Sequence, residues 1–240
     1  IARFDPAKGI PDVIEAYRAF REQLTARGME DDQQPQLVLC GHGSIDDPDG
    51  TVVYDQVIQL LNQPEYRTYA PDICVARLPA SDQLLCAILR GSFCALQLSH
   101  REGFEVKVTE SLAKYKPVIA YRSGGIPLQI EDGKTGILVE RGNTKGVADA
   151  LTRMYTDMAY YQDFINELRT KGQDSKRQQF FTPFQSVNWL YLATELAYKG
   201  NDEAVAKNQP PLDVEGTYMG NGEIRQWNAK YVREYWQSSA

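Results

Sequence analysis

Two carboxylates eight positions apart, Glu102 and Glu110, flank a short turn in the run Ser-His-Arg-Glu-Gly-Phe-Glu-Val-Lys-Val-Thr-Glu, residues 99–110. An ionised glutamate only accepts hydrogen bonds, so both residues suit the hydroxyls of a polyol. Gly103 permits close backbone approach, and the amides of Gly103, Phe104 and Glu105 can then face a ligand. A helix expected from about Val106 adds its free N–H groups and the positive end of its dipole. An anion fits there. At the other end of the chain, Ala-Arg-Phe-Asp-Pro-Ala-Lys-Gly (residues 2–9) supplies Arg3, a planar fork, and Lys8, a point charge. Such a pair suits phosphate oxygens. Acceptors for hydroxyls beside donors for phosphate describe a site for a phosphorylated sugar. The plainer alternative is a loop turn, a water-facing helical glutamate and two ordinary surface cations.

These residues need a scaffold, and the pattern supplies one. The apolar run Phe93 to Leu98 reads as a buried parallel strand, followed by a second from Pro117 to Tyr121. Glu102 therefore falls just past the carboxyl end of a strand, where open α/β sheets bind ligands. Further strands are expected at Gln36–Cys40, Ile73–Ala76 and Gly136–Val139, and Arg3 leaves what reads as a strand end at the start of the chain. Helices are expected over about Pro11–Arg27, Val52–Leu61 and Ser81–Leu89, the last capped by Ser81, and again from about Val106 and Thr144. This alternation predicts an α/β fold with a Rossmann-like, doubly wound parallel sheet.

After Leu151 the sequence becomes helical and aromatic, with Tyr155, Tyr160, Tyr161, Phe164, Phe180, Phe181, Phe184, Trp189 and Tyr191. Aromatic residues at helical spacing are read as packing. The expected division is a domain over 1–199, a polar linker over 200–222 containing Pro210-Pro211 and Gly220-Asn-Gly222, and a C-terminal helical segment over 223–240.

Composition narrows the classes. The 240 residues carry a formal charge of −6, which speaks against a general nucleic-acid surface, and 42% hydrophobic residues allow a sizeable core. No apolar run is long enough to cross a membrane, and no leader opens the chain. Cys40, Cys74, Cys86 and Cys94 form no Cys-x-x-Cys pair and are expected as buried free thiols in a cytoplasmic protein. Gly41-His-Gly43 opens like a dinucleotide fingerprint, but Asp46 stands where the third glycine belongs. Asp46, Asp47 and Asp49, with Pro48 and Gly50, read as a turn rather than a cation loop. Two histidines, His42 and His100, leave no zinc set and no Ser-His-Asp triad.

Taken together, Arg3-Phe-Asp-Pro-x-Lys8-Gly, Glu102-Gly-Phe with Glu110, Lys116-Pro-Val and Gly124-Gly-Ile-Pro resemble the C-terminal, donor-binding domain of retaining GT-B glycosyltransferases of the family-4 type. The resemblance spans roughly residues 1 to 170. It is closer to the trehalose phosphorylase and trehalose synthase branch, on Asp46-Asp-Pro-Asp-Gly50 after Gly41, Gln97-Leu-Ser-His-Arg-Glu-Gly-Phe104, Val108-Thr-Glu110 and Gly125-Ile-Pro-Leu-Gln-Ile130.

The resemblance implies roles. Arg3 and Lys8 would bind the donor's phosphate or diphosphate. Glu102, with the backbone of Gly103 to Glu105 and the start of the helix at Val106 and Lys107, would hold the transferred glucose. Glu110 would hold the ribose of a nucleotide donor, and catalysis would be electrostatic, with Arg3, Lys8 and Glu102 at its centre. Gly41 would approach the ligand, His100 would line the sugar pocket, and Arg77 would face a nucleotide base or else be a surface cation. Many relatives carry glycine where this chain has Glu105, which brings a negative charge to the phosphate site, with Lys107 as its counter-charge. The alternative is that Glu105 points into solvent.

The implied reaction is reversible phosphorolysis of α,α-trehalose to glucose and α-glucose 1-phosphate, with no cofactor, no metal and no membrane or nucleic-acid partner. One alternative is trehalose synthesis from a nucleoside-diphosphate glucose; another is a non-catalytic sugar-phosphate-binding domain. The implied partner is an N-terminal GT-B domain outside this chain, a homodimer being also open, and residues 1–240 alone are expected to be inactive.

Overall fold

Short parallel strands alternate with helices in the computed structural model, which describes residues 1–42, 49–79, 81–171 and residues 186, 189 and 190. In chain order the main elements are α1 (Ile10–Thr25), β1 (Leu37–His42), α2 (Asp49–Leu61), α3 (Pro64–Arg67), β2 (Ile73–Leu78) and α4 (Asp82–Gly91). Then follow β3 (Ala95–Gln97), α5 (Val106–Ala113), β4 (Val118–Tyr121), α6 (Ile126–Gln129), β5 (Gly136–Val139), α7 (Thr144–Thr156) and α8 (Met158–Lys171). Local chemistry sets several ends. Ser81 accepts from the amide of Leu84 to start α4, as its sequence position predicts, and Asn143 does the same for α7 through Gly146.

All strand pairs are parallel, in two sheets ordered β1-β2 and β3-β4-β5. The single sheet expected from sequence is thus divided. Ile1 and Ala2, expected as the end of a strand, have no strand of their own but occupy the gap. The Ala2 amide donates to the Cys40 carbonyl of β1 (3.0 Å), and the Gln97 side chain of β3 donates to the Ile1 carbonyl (3.1 Å). One backbone bond on one side is contact without a ladder.

The burial on β4 shows why both faces carry helices. Val118 and Ala120 join Val108 and Leu112 of α5, Ile126 of α6 and Leu168 of α8 in one apolar cluster. Ile119 and Tyr121 point the other way, into a larger cluster with α1 (Ile14, Tyr17, Phe20, Leu24) and α7 (Val147, Ala148, Leu151). The apolar positions of α1 recur at helical spacing, and each fully buried aliphatic side chain contributes about 1.5–3 kcal/mol. Tyr155, Tyr160, Tyr161 and Phe164 do pack, with Tyr161 stacked on Phe93 at 4.0 Å between ring centroids.

Other expectations need correction or lie out of view. Cys40 is buried, but Cys74 is exposed and Cys86 and Cys94 are half-buried; all four are free thiols. Ile1–Gln173 forms one compact unit and Asp174–Ala240 a second. The boundary at 199, the linker 200–222 and the helix in 223–240 fall outside the described residues, as do Asp46, Asp47, Phe180, Phe181, Phe184 and Tyr191. Among the described residues no helix is long and apolar enough to cross a membrane, and no group of His, Cys, Asp and Glu could hold a metal ion.

Candidate functional site

Lys8 and Glu105, 97 positions apart, meet at the carboxyl ends of the central strands. Lys8 ends a short 3-10 turn, Pro6–Lys8, capped by Asp5, and Gly9 then reverses the chain into α1 with φ of +63°. Glycine is required there: a Cβ at residue 9 would lie 2.1 Å from the Leu98 carbonyl oxygen. The His100 amide in turn donates to the Ala7 carbonyl at 2.8 Å. The Lys8 loop is thereby pinned to the loop that leaves β3.

That second loop holds the carboxylates. The Lys8 ammonium donates to Glu102 Oε2 at 2.5 Å and to Glu105 Oε2 at 2.7 Å. The other oxygen of Glu102 takes the Gly103 amide at 3.2 Å, and the other oxygen of Glu105 takes the Lys107 amide at 3.1 Å, making Glu105 the N-cap of α5. Glu105 is only 7% exposed, so the solvent-pointing alternative is wrong. Lys107 is not its counter-charge either, because its ammonium pairs with Glu110 at 2.7 Å. Lys8 fills that role.

A third loop closes over the first two. Gly124 has φ of +52°, and a Cβ there would fall 1.7 Å from the Glu102 carbonyl oxygen. The Gly125 amide donates to the Gly103 carbonyl at 2.7 Å. The Gly124-Gly-Ile-Pro motif is therefore explained by backbone contact with the Glu102 turn.

The electrostatics follow from the geometry. Burial pulls the Lys8 ammonium down, but its bonds to Glu102 and Glu105 outweigh this and hold it above the ordinary lysine value. Burial pushes the Glu102 carboxyl up, and the Lys8 ammonium, Glu105 and the Gly103 amide together bring it below the usual carboxylate range. One cation thus lies between two carboxylates. An added phosphate about 4 Å from a carboxylate would be opposed by roughly 4 kcal/mol at an effective dielectric constant near 20. An anion reaching Lys8 competes with both carboxylates for the ammonium, and Glu105 is the one that lies at the mouth of α5, where a helix end favours negative charge.

The other sequence candidates occupy varied positions. Arg3 is 53% exposed, with a loose 3.7 Å contact to Asp5, and is not joined to the Lys8 cluster. Phe104 and Val106 are exposed on the rim, and Glu110 is half-buried one turn into α5. Gly41 is packed against backbone, since a Cβ there would meet the Ala2 carbonyl oxygen at 1.9 Å. Arg77 lies within β2, opposite Gly41, and covers the Tyr54 ring at 4.6 Å while donating to the Gly50 carbonyl. Those contacts tie it to α2.

Two site residues had no signal in the sequence. Asp12 of α1 and Tyr121 of β4 are 109 positions apart and share a 2.8 Å hydrogen bond; Asp12 Oδ2 also stands 3.2 Å from His100 Nε2. An aspartate at the start of a helix reads as a dipole partner, and a tyrosine ending a buried strand reads as core. Only the tertiary structure brings them to His100.

The family model for glycosyl transferases group 1 matches residues 1–171. The trehalose phosphorylase of Pleurotus pulmonarius is 50% identical over 195 residues, covering 80% of this chain and 26% of that protein. The trehalose synthase of Pyrococcus horikoshii is 37% identical over 196 residues, 82% of this chain and 43% of its own. Sucrose-phosphate synthase from Thermosynechococcus elongatus shares the fold, with a TM-score of 0.65 at 22% identity over 82% of this chain and 45% of that one. The chain spans about a quarter of the length of the trehalose phosphorylases it matches.

Proposed function

The chain belongs to the glycosyl transferases of group 1 and has the α/β architecture of GT-B enzymes, and from this we propose that it holds the phosphate and glucosyl side of a retaining trehalose phosphorylase. The observation that carries this reading is the cluster of Lys8, Glu102 and Glu105 at the strand ends and the mouth of α5. Similarity to trehalose phosphorylases over 80% of the chain supports the choice of reaction. In the phosphorolytic direction a phosphate oxygen bonds to the anomeric carbon of one glucose while the glycosidic bond breaks. The leaving glucose takes up the proton that the phosphate loses. Lys8 and the first amides of α5 stabilise the phosphate's charge, with Arg3 free to swing toward it, and Glu102 accepts from the glucosyl hydroxyls. Glu105 sets the preference, because a small anion can replace its carboxylate at Lys8 while the rest of the loop stays in place.

This reading includes a cytoplasmic setting, no cofactor and a further domain that supplies the acceptor glucose. Residues 1–240 alone then bind ligand without turnover. The second reading, synthesis of trehalose from a nucleoside-diphosphate glucose, is favoured by Glu110, whose half-buried carboxylate has Lys107 as its ion-pair partner and could take ribose hydroxyls. Calorimetric titration with phosphate, glucose 1-phosphate, uridine diphosphate and adenosine diphosphate separates them. Binding of the first two, lost in Lys8→Ala and kept in Glu110→Ala, supports the phosphorylase. Binding of a nucleotide that weakens more than about tenfold in Glu110→Ala, roughly 1.4 kcal/mol, replaces it with the synthase.

A further inference from the structure

Thr109 and Gln129 form a buried polar pair beside an apolar cluster. They are 9% and 5% exposed, and they are next in sequence to Val108 and Ile130, which belong to the cluster packed on β4. The Thr109 hydroxyl donates to Gln129 Oε1 at 2.6 Å, and Gln129 Nε2 reaches the Gly125 carbonyl at 3.5 Å. The order of donation follows, because a carbonyl only accepts: Nε2 faces Gly125, and Oε1 is left to the hydroxyl. Filling the core alone would ask for apolar side chains at both positions, since a buried amide or hydroxyl is costly wherever it loses its partner. The pair joins two elements that both border the Glu102 turn. Thr109 is on α5, whose N-cap is Glu105. Gln129 ends α6, whose N-cap is Gly125, and the Gly125 amide donates to the Gly103 carbonyl at 2.7 Å. Gly124, alongside, leaves no room for a Cβ against the Glu102 carbonyl. A path of polar contacts thus runs from α5 through Gln129 and Gly125 to Gly103, the residue after Glu102.

Resting on the donor-site reading above, we propose that Thr109 and Gln129 are positioning residues that clamp the Gly124-Gly125 loop onto the Glu102 turn and so set the affinity for the glucosyl group. In that reading Glu102 is the acceptor for glucosyl hydroxyls, whereas inorganic phosphate relies on Lys8 and the first amides of α5. The clamp therefore acts on the sugar and not on the anion. A pair that only stabilised the core would leave the choice between ligands as it was.

The test uses residues 1–240 with inorganic phosphate and glucose 1-phosphate as probes. It compares the unaltered chain with Thr109→Val, Thr109→Ser and a double variant that combines Thr109→Val with Gln129→Met. Replacing both partners of a buried hydrogen bond by apolar groups of similar shape is nearly neutral for stability, whereas removing one is not. Thr109→Val should therefore lower the urea midpoint, and the double variant should restore it. Glucose 1-phosphate should bind about tenfold more weakly in both, with phosphate affinity unchanged, and Thr109→Ser should keep the affinity of the unaltered chain. Amide exchange followed by NMR reads the clamp without ligand: the Gly125 amide should exchange faster in the double variant, while those of β4 do not. Full recovery of glucose 1-phosphate affinity in the double variant, equal losses for both ligands, or unchanged exchange at Gly125 overturns the proposal and leaves the donor-site reading standing. If the unaltered chain binds neither probe, both fall.

Discussion

Lys8 is the residue on which the site's charge balance depends, and its removal separates stability from binding. With Lys8→Met, two half-buried or buried carboxylates lose their shared cation. Breaking a buried pair costs about 3–5 kcal/mol, so urea denaturation near neutral pH should show a loss of about 3 kcal/mol, and phosphate binding should vanish. A loss below about 0.5 kcal/mol would mean that the cluster behaves as a solvated surface pair. Glu105→Gln acts in the opposite sense on binding. It keeps a polar cap for α5 but no longer competes for Lys8, so phosphate should bind about tenfold more tightly in calorimetry. Weaker binding in that variant would instead make Glu105 part of the phosphate's own cradle. Sequence alone could mark Glu105 as an unusual charge, but the lysine it answers lies 97 positions away.

At the scale of elements, the two glycine contacts do more than shape turns. Gly124→Ala forces a side chain into the Glu102 carbonyl at positive φ. Strain of this kind costs about 1–3 kcal/mol, and the Glu102 turn must shift to relieve it. Glucose 1-phosphate affinity should therefore drop together with melting temperature, whereas Gly133→Ala, also at positive φ but in open space, should lower only the latter. Titration beside thermal denaturation distinguishes the two cases. The elements themselves were largely legible. β4 and β5 have the buried apolar runs of parallel strands, and Ser81 marks its helix start because a side-chain oxygen must satisfy an amide there. What escaped were short helices such as α3 and α6, four residues each, too brief for periodicity to register. The division of the sheet also escaped, because strand pairing is a long-range property. Glu102 and Lys8 could be placed from local pattern, while Asp12 and Tyr121 could not.

For the whole molecule, Glu102 bears on the acid limit of stability and Lys8 and Tyr121 on the alkaline one. The folded carboxyl of Glu102 lies below its ordinary value. Its contribution is present above about pH 4.3, the unfolded value, and is lost as pH falls through the folded one. Lys8 and Tyr121 are held above their ordinary values, Tyr121 by burial and then by its bond to Asp12. Their contributions are complete below about pH 10 and are lost as pH rises through the folded values. Melting temperature should therefore fall below about pH 4 through Glu102 and above about pH 10 through Lys8 and Tyr121. Glu102→Gln should shallow the acid limb and Tyr121→Phe the alkaline limb; unchanged limbs would show that other groups govern them. The four residues of β4 are each 0% exposed, and the strand has neighbours on both sides. Its amides should exchange with deuterium only when the entire domain opens, on the slowest clock in the protein. Tyr121, the last residue of that strand, packs its ring 5.8 Å from that of His100, so the loop that carries Glu102 and Glu105 starts from the part of the protein that opens last.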